Sequence, residues 1–279
     1  MRIRATTRLL ALVGDPVAHS LSPLMHNAAI GALGLDAVYV ALRTSAAAFP
    51  ELVRSVLAAR GALNVTVPFK GAAAALADPA SAGVRRSGAC NTLWPDGARI
   101  AGENTDLPAV AAAARALLDG RAVRRALVLG TGGSARSAAL AVADAWPGAA
   151  TLVRSRDEAR GADFARWAAS QGVACRVWEA GSREAVDLVV NATPLGLRPE
   201  DPLPLEAAAL AALGAPAVLD LVYARGSTRL VAAARAAGIP AEDGRGVLVG
   251  QGALAFERFF GVPAPVDVMR AAVEDALRR

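Results

Sequence analysis

The feature that most constrains the fold is a glycine-rich turn between an apolar strand pattern and a helical pattern. The apolar run at 126–129 leads directly into Gly130-Thr131-Gly132-Gly133-Ser134-Ala135. In a G-x-G-x-x-G/A turn the first glycine permits the tight turn, the second lets the backbone approach a pyrophosphate, and the small last residue lets the helix pack on its strand. Backbone N–H groups and the helix dipole then meet the anion. The turn therefore predicts dinucleotide binding at Gly130, Gly132, Gly133, Ser134 and Ala135.

The end of the next strand distinguishes between the two nicotinamide dinucleotides. An acidic residue there binds the ribose 2′-OH of NAD, whereas arginine accommodates the 2′-phosphate of NADP. The strand pattern at 151–153 ends in Arg154-Ser155-Arg156, and the first acidic residue is Asp157. We therefore expect NADP as the cofactor, with Arg154, Ser155 and Arg156 beside it. The alternative is that these arginines are solvated surface residues.

Strand and helix patterns alternate along the chain, which is typical of an α/β fold with a mostly parallel sheet. Ser22 followed by Pro23 predicts a helix N-cap. We expect an α/β domain over 1–106, completed by helices in 244–279, and a Rossmann-type doubly wound dinucleotide-binding domain over 107–243. The predicted strands are 9–13, 38–42, 63–67, 90–94, 99–102, 126–129, 150–153, 174–178, 187–191 and 217–221.

Lys70 is the only lysine among the 30 lysine and arginine residues. Where arginine serves as the general surface cation, a retained lysine suggests a task that arginine does not perform. Guanidinium stays protonated in proteins, whereas an ammonium gives and takes a proton. Lys70 is therefore a candidate acid–base residue. Chance placement of the single lysine is the alternative.

Composition excludes several classes of protein. Hydrophobic residues make up 54% and charged residues 20%, as in an ordinary globular chain. No apolar run reaches membrane-spanning length, and the apolar stretch that ends at Asp15 is too short for a signal sequence. We therefore expect a cytoplasmic protein without a membrane partner. The net charge is +5 and the pI about 10.1, but the arginines are scattered and aromatic residues are only 4%, so no nucleic-acid partner is expected.

The cysteine and histidine content predicts neither a disulfide framework nor a metal site. Cys90 and Cys175 are too few and too far apart in the chain, and no Cys/His spacing resembles a zinc site. His19 and His26 have no acidic or cysteine partner placed nearby. We interpret both histidines as packed or hydrogen-bonding residues.

Six polar blocks stand out along the chain: His19-Ser20-Leu21-Ser22-Pro23-Leu24-Met25-His26-Asn27, Asn64-Val65-Thr66-Val67-Pro68-Phe69-Lys70, Gly88-Ala89-Cys90-Asn91-Thr92, Gly102-Glu103-Asn104-Thr105-Asp106, Asn191-Ala192-Thr193-Pro194 and Gly250-Gln251-Gly252. In this order and spacing they resemble the motifs of the shikimate dehydrogenase family, and the likeness runs from about Leu10 to Gly261. The resemblance implies an NADP-dependent oxidoreductase that interconverts 3-dehydroshikimate and shikimate, on the chorismate route to the aromatic amino acids.

The resemblance also implies a role for individual side chains, beginning with Lys70 and Asp106 as the catalytic pair. It makes the first domain the substrate-binding one. Reduction of a ketone needs a proton donor at the developing alkoxide, which an ammonium supplies. Asn64 and Asn104 are interpreted as residues that only fix turns. The further implied roles are carboxylate binding by Ser20 and Ser22, with Tyr223 nearby; ring-hydroxyl binding by Thr66, Asn91 and Gln251; and lining of the nicotinamide side by Thr193 and Gly244.

Three departures from the family pattern leave alternatives open. Arg154-Ser155-Arg156 stands where Asn-Arg-Thr is frequent, Arg225 stands where proline is usual, and Val247 replaces a common methionine. A paralogue acting on quinate or on an aminated shikimate would share nearly every motif. A non-catalytic dinucleotide sensor is the alternative of a different class. We expect a monomer or a homodimer.

Overall fold

The computed structural model describes residues 3–179, 181–198, 200–214 and 216–278. It divides into two compact units. The first runs through Asp106 and resumes at Leu248, and the second is Leu107–Val247. Residues 1 and 279, the outer limits of the expected first domain, lie outside the described part of the chain.

The first unit is built around a five-stranded mixed sheet. Its strand order is β2-β1-β3-β4-β5, with β1, β2 and β3 parallel and both β4 and β5 antiparallel to their neighbours. Two helices extend across the unit boundary, α5 from this unit into the next and α10 back again. The elements are β1 Arg8–Gly14, α1 Ser22–Ala32, β2 Ala37–Arg43, α2 Phe49–Ala58, β3 Ala62–Val65, α3 Lys70–Leu76, α4 Ala82–Ser87, β4 Thr92–Asp96, β5 Arg99–Glu103, α5 Asp106–Leu118, α10 Arg245–Phe260 and α11 Val266–Arg278.

The central strand β1 supplies side chains to a core on each face of this sheet. Leu10 and Leu12 pack with α1, α10 and α11, where Met25 and Phe256 are fully buried. Ala11 and Val13 point the other way and pack with residues of α2, α3 and α4. This division follows from the two-residue period of a strand. A strand buried on both faces also explains why the run is continuously apolar.

The second unit is a six-stranded parallel sheet with the order β11-β10-β9-β6-β7-β8. This is the doubly wound order, in which the first strand, β6, lies at the centre and the strand order reverses beside it. The parallel sheet confirms the predicted α/β class. The elements are β6 Arg125–Leu129, α6 Gly133–Ala145, β7 Ala150–Arg154, α7 Glu158–Ser170, β8 Cys175–Val177, β9 Leu188–Asn191, α8 Ala207–Ala212, β10 Ala217–Asp220, α9 Arg229–Ala236 and β11 Ala241–Glu242.

Strand β6 also feeds two cores, one on each face of its sheet. Ala126 and Val128 join a cluster with α6, while Leu127 and Leu129 join a cluster with α9. All four side chains are at most 2% exposed. The glycine-rich turn therefore begins directly after four buried strand residues, which give it a rigid support.

Two local predictions are wrong. The strand expected at 63–67 ends at Val65, because Pro68 has no N–H to donate and Phe69 N–H instead closes a turn onto Thr66 O. Ser22 is not an N-cap: it lies inside α1, Leu21 precedes the helix, and no side chain caps it. The backbone N–H of Ser22 instead approaches Ser20 Oγ at 3.2 Å.

Short elements escaped sequence prediction. Helix α4 has only six residues, too few to show a helical period, although Ser81 Oγ accepts from Val84 N–H and Gly88 ends it in the left-handed conformation. Strand β11 has two residues. Within the described residues, no helix combines the length and the apolar character needed to cross a membrane.

Candidate active site

Lys70 stands at the first position of α3, immediately after the turn that ends β3. Its Nζ lies 2.6 Å from Asp106 Oδ2, and both side chains are 14% exposed. Cys90 N–H donates to the backbone carbonyl of Lys70 at 2.9 Å, which fixes the start of the helix. The structure therefore brings the two predicted catalytic residues together as a mostly buried ion pair, though they are far apart in the sequence.

Asn91 holds the other oxygen of the same carboxylate. Its Nδ2 donates to Asp106 Oδ1 at 2.8 Å, and its Oδ1 accepts from Thr105 N–H at 2.8 Å. Asn91 is itself only 3% exposed, and its backbone carbonyl accepts from Val65 N–H. Asn91 thus joins β3 and the segment after β5 to the carboxylate. Asp106 has a single orientation, because both of its oxygens are engaged.

Gln251 reaches this group from α10. Its Oε1 lies 3.4 Å from Asn91 Nδ2, and its Nε2 donates to Leu248 O at 2.8 Å. Lys70, Asp106, Asn91 and Gln251 therefore form one connected polar group. The first unit thus brings together in space four of the site residues that the family resemblance implies.

The other predicted site residues of the first unit, Ser20, Ser22 and Thr66, make local contacts of their own. Ser20 Oγ and Ser22 Oγ are 3.2 Å apart, and Ser22 is 5% exposed. The methyl group of Thr66 lies where a Cβ at Gly14 would be, so the strand end of β1 must be glycine for Thr66 to occupy its place. Backbone hydrogen bonding fixes Thr66 as well, since its N–H donates to Val13 O at 2.9 Å.

In the second unit, the glycine-rich turn connects β6 to α6 and leaves open space at the start of the helix. Gly130 has a φ of +103°, a conformation that favours glycine, and its N–H donates to Arg154 O at 2.9 Å. Gly132 is the N-cap of α6, and a Cβ added there would meet no described atom within 4 Å. Ala135 is fully buried against the strand. The open space at Gly132, in front of a 13-residue helix, fits the pyrophosphate of a dinucleotide.

The segment predicted to select NADP leaves β7 beside this turn. The Arg154 guanidinium lies 5.3 Å from the ring centre of Trp178 and donates to Pro204 O at 3.2 Å. Ser155 Oγ accepts from Asp157 N–H at 3.2 Å, which shapes the turn into α7. Arg156 is exposed. Arg154 is thus held in place by an aromatic ring, while Arg156 extends into solvent.

Thr193 and Gly244 lie at the carboxyl edge of the same sheet. Thr193 Oγ1 donates to Asn191 Oδ1 at 2.7 Å, and its methyl group is 3.2 Å from the Cβ position of Gly130. Gly244 N–H donates to Val222 O at 2.9 Å, and a Cβ at Gly244 would overlap the carbonyl of Leu221. The predicted nicotinamide-side positions therefore lie in closely packed turns.

Family models match both ends of the chain. The model of the shikimate dehydrogenase substrate binding domain matches residues 12–93, and the model of the shikimate 5'-dehydrogenase C-terminal domain matches residues 244–274. A shikimate dehydrogenase (NADP(+)) of Symbiobacterium thermophilum is 40% identical over 290 residues, which cover 98% of this chain and 96% of that relative. The chain belongs to the shikimate dehydrogenase family.

Solved structures of shikimate dehydrogenases and their relatives share the fold. The shikimate 5-dehydrogenase of Thermus thermophilus in complex with NADP(H) and shikimate is 36% identical with a TM-score of 0.84, covering 96% of this chain and 99% of its own. The quinate dehydrogenase of Corynebacterium glutamicum in complex with NAD is 29% identical with a TM-score of 0.86, at the same coverage. The predicted family resemblance is confirmed.

Sequence reasoning missed the support behind Asn91 in this shikimate dehydrogenase fold. The prediction that Asn64 only fixes a turn is wrong: Asn64 lies in β3, is 4% exposed, and donates to Asn91 O at 3.1 Å. Tyr39 OH donates to Asn64 Oδ1 at 2.8 Å. His26 stacks on Tyr39 with ring centres 4.2 Å apart. These contacts join segments that are far apart in the sequence, so sequence patterns do not reveal them. The only sequence signal was the position of Asn64 within a predicted strand.

His26 is a packed residue. Burial lowers its pKa to about 3, so the ring is neutral, and neither ring nitrogen has a hydrogen-bond partner among the described residues. His19 is exposed. Asn104 Nδ2 donates to Ser87 Oγ at 2.9 Å, a structural contact. The described ranges contain no group of three or more His, Cys, Asp or Glu side chains placed to hold a metal ion.

Asp220, at the end of β10, is a further buried acid that the sequence did not single out. Its side chain is fully buried, and desolvation raises its pKa to about 6, although hydrogen bonds from Thr228, Val222 N–H and Asn191 oppose the rise. Repulsion from Asp243 adds to it. The only sequence signal for Asp220 is its place at the carboxyl end of a predicted strand, where ligands bind in doubly wound folds.

The raised pKa of Asp220 predicts a pH-dependent stability. A carboxyl group with a folded-state pKa above its unfolded value contributes stability below the unfolded pKa, and that contribution is lost as pH rises through the folded pKa, here about 6. Asp220→Asn removes this titration. The free energy of unfolding of the wild type, relative to Asp220→Asn, should fall by up to roughly 3 kcal/mol between pH 4 and pH 7.5. Urea unfolding of both proteins at several pH values measures it, and a difference that is constant with pH would contradict it.

Proposed function

We propose that this protein is an NADP-dependent shikimate dehydrogenase, which reduces 3-dehydroshikimate to shikimate and catalyses the reverse reaction. The observation that carries the proposal is the buried Lys70–Asp106 pair, held by Asn91. The names of the relatives and the complex of the Thermus thermophilus structure with NADP(H) and shikimate support it. The role in the biosynthesis of chorismate and the aromatic amino acids follows from this activity.

Lys70 is the proposed proton donor in the reductive direction. The substrate carbonyl oxygen becomes an alkoxide as it gains electrons, so a donor within about 2.6–3.2 Å of that oxygen is needed. The ammonium stabilises the developing charge and then gives its proton to the oxygen. NADPH, when bound, supplies the hydride. In the oxidative direction the neutral amine accepts the proton from the hydroxyl group.

Asp106 and Asn91 are proposed to hold that amine in position. Asp106 Oδ2 fixes Nζ at 2.6 Å, and Asn91 stops the carboxylate from rotating. A carboxylate beside the amine also gives a ring hydroxyl an acceptor. Because Lys70 and Asn91 are both already hydrogen-bonded to Asp106, little reorganisation is required when substrate binds.

The substrate-binding residues are proposed from their chemistry and family positions. Short hydroxyl and amide side chains suit a ring that carries several hydroxyl groups and one carboxylate. The first unit is proposed as the substrate-binding domain and the second as the NADP-binding domain. The proposed carboxylate contacts are Ser20, Ser22 and Tyr223, and the proposed ring-hydroxyl contacts are Thr66, Asn91 and Gln251.

The cofactor-binding residues are proposed on the fit of the second unit to a dinucleotide. Its pyrophosphate would meet the backbone N–H groups at the start of α6, and the cations of β7's end would meet the 2′-phosphate of NADP. The Arg154 guanidinium is already held in place by the ring of Trp178 and by Pro204 O. The proposed residues are Gly130, Gly132, Gly133, Ser134, Ala135, Arg154, Ser155 and Arg156, with Thr193 and Gly244 on the nicotinamide side.

Quinate is the substrate of the second candidate function, because the Corynebacterium glutamicum neighbour is a quinate dehydrogenase. Action on an aminated shikimate stays an alternative of the same chemistry. A non-catalytic dinucleotide sensor is disfavoured because such a protein would not need the paired Lys70 and Asp106. The cytoplasmic location, the lack of a nucleic-acid partner and the monomeric or homodimeric state stay predictions.

Initial rates with shikimate or quinate, each with NADP+ or NAD+, test the proposal. We expect the highest kcat/KM for shikimate with NADP+, because a site with arginine and no acid at the end of β7 favours the 2′-phosphate. A higher kcat/KM with quinate would select the second function. Lack of any shikimate-dependent NADPH formation would contradict a dehydrogenase and favour the sensor.

Lys70→Arg tests the proposed proton donor. The variant keeps the positive charge, but a planar guanidinium neither occupies the ammonium position nor gives up its proton. We expect kcat for shikimate oxidation to fall by about 100-fold or more, a typical contribution of general acid–base catalysis. Arg270→Lys, an exchange of the same cations at an exposed position of α11, is the matched control and should keep wild-type kinetics. Turnover of Lys70→Arg close to wild type would remove Lys70 from the mechanism.

A further inference from the structure

A buried hydrogen-bonded cluster lies at the carboxyl edge of the second unit's sheet, where β9 and β10 end. Three polar side chains form it: Asn191 and Asp220 are fully buried and Thr228 is 1% exposed. Burying a carboxylate costs free energy unless hydrogen bonds compensate for lost water. The cluster lies next to the turn at 192–195 and the loop at 221–228. Its hydrogen bonds therefore hold these two segments in one arrangement.

Asn191 is bonded on one side to the turn that contains Thr193. Its Oδ1 accepts from Thr193 N–H at 3.1 Å and from Thr193 Oγ1 at 2.7 Å. Its Nδ2 donates to Leu195 O at 3.2 Å and, in the other direction, to Asp220 Oδ1 at 2.8 Å. The amide oxygen thus bonds only to the turn, while the amide nitrogen bonds both to the turn and to the neighbouring strand.

Asp220 is bonded to both ends of the loop that carries Tyr223. Its Oδ1 accepts from Val222 N–H at 3.0 Å, and its Oδ2 accepts from Thr228 Oγ1 at 2.7 Å. The same loop is fixed from a second side, because Arg245 Nη2 donates to Gly226 O at 2.9 Å. The residue immediately before Tyr223 and the end of the loop are therefore both held by one carboxylate.

We propose that the Asn191–Asp220 hydrogen bond is a positioning contact that sets the Tyr223 loop relative to the Thr193 turn. The inference rests on the proposed function, in which Thr193 lines the nicotinamide side and Tyr223 lies near the substrate carboxylate. Asn191 acts through its neighbours and touches neither ligand. The proposed substrate contact at Tyr223 therefore depends on Asn191, whose side chain also holds the Thr193 turn on the proposed nicotinamide side.

Asn191→Asp breaks this contact, and it also removes the longer hydrogen bond from Asn191 Nδ2 to Leu195 O. The new carboxylate keeps an oxygen to accept from Thr193, but it replaces the amide donor that faces Asp220 with a second anion. Two carboxylates at hydrogen-bond distance share one proton, and the pKa of the pair rises. The charged and titratable groups that face Asp220 include Asp243, which raises its pKa further, and Asp243 is paired with Arg245 at 2.8 Å. The shared proton should restore the missing hydrogen bond as pH falls.

The experiment measures kcat and both KM values of the full-length protein between pH 6 and pH 9, with shikimate and NADP+. For Asn191→Asp at pH 8.5 we expect the KM for shikimate to rise about tenfold, the effect of one lost hydrogen bond. The KM for NADP+ should change less than about twofold. The rise in KM, relative to wild type at each pH, should shrink toward pH 6. A purely structural role would instead change both KM values together.

Two further proteins complete the test. Gln171→Glu makes the same amide-to-carboxylate change in the same unit, outside the cluster, and should leave the ratio to wild type constant with pH. Thr228→Val removes the hydroxyl on the other side of Asp220 and should raise the KM for shikimate with little effect on that for NADP+. If Asn191→Asp does not fold, the KM values of Thr228→Val test the proposal instead.

The outcomes separate the inference from the proposed function. Wild-type protein without activity on shikimate and NADP+ would contradict the proposed function. Active wild type together with Asn191→Asp or Thr228→Val that keeps the wild-type KM for shikimate would overturn the positioning role. Equal changes in both KM values, unaffected by pH, would overturn it as well.

Discussion

The ion pair between Lys70 and Asp106 is the interaction on which the account of this molecule depends. Two opposite charges lie 2.6 Å apart and are mostly withdrawn from water. Such a pair adds little net stability, because desolvation offsets the attraction, and loss of either partner leaves a costly uncompensated charge. Stability therefore does not explain the pair, whereas the proposed reaction, which needs a placed proton, would explain it. Asn91 completes the explanation, since it holds the carboxylate that holds the amine.

Each unit contains a buried amide bonded to a carboxylate. In the first unit Asn91 binds Asp106, and in the second Asn191 binds Asp220, both at 2.8 Å. An amide offers a donor and an acceptor on one planar group, so it can bond a carboxylate on one side and a backbone on the other. In both places this joins segments that are distant in sequence. Amide–carboxylate contacts thus determine local geometry in both the proposed substrate-binding unit and the proposed cofactor-binding unit.

Much of the fold was predictable because it depends on local patterns. Continuous apolar strands and the turn after Gly130 predicted the doubly wound sheet, and the motif blocks identified the family. The network behind Asn91 was not predictable, since Tyr39 OH reaches Asn64 only after β2 and β3 are aligned through β1. Asp220 looks like a solvated charge until Thr228 folds back onto it. Long-range polar contacts carry no sequence period, so patterns that locate strands do not reveal them.

A crystal structure with shikimate and NADP+ bound tests the central claim most directly. The quantity to measure is the distance from Lys70 Nζ to the ring oxygen that becomes the carbonyl on oxidation. The account predicts about 2.6–3.2 Å, with Asp106 still bonded to both Lys70 and Asn91. An amine directed into solvent, with a different side chain at that oxygen, would contradict it.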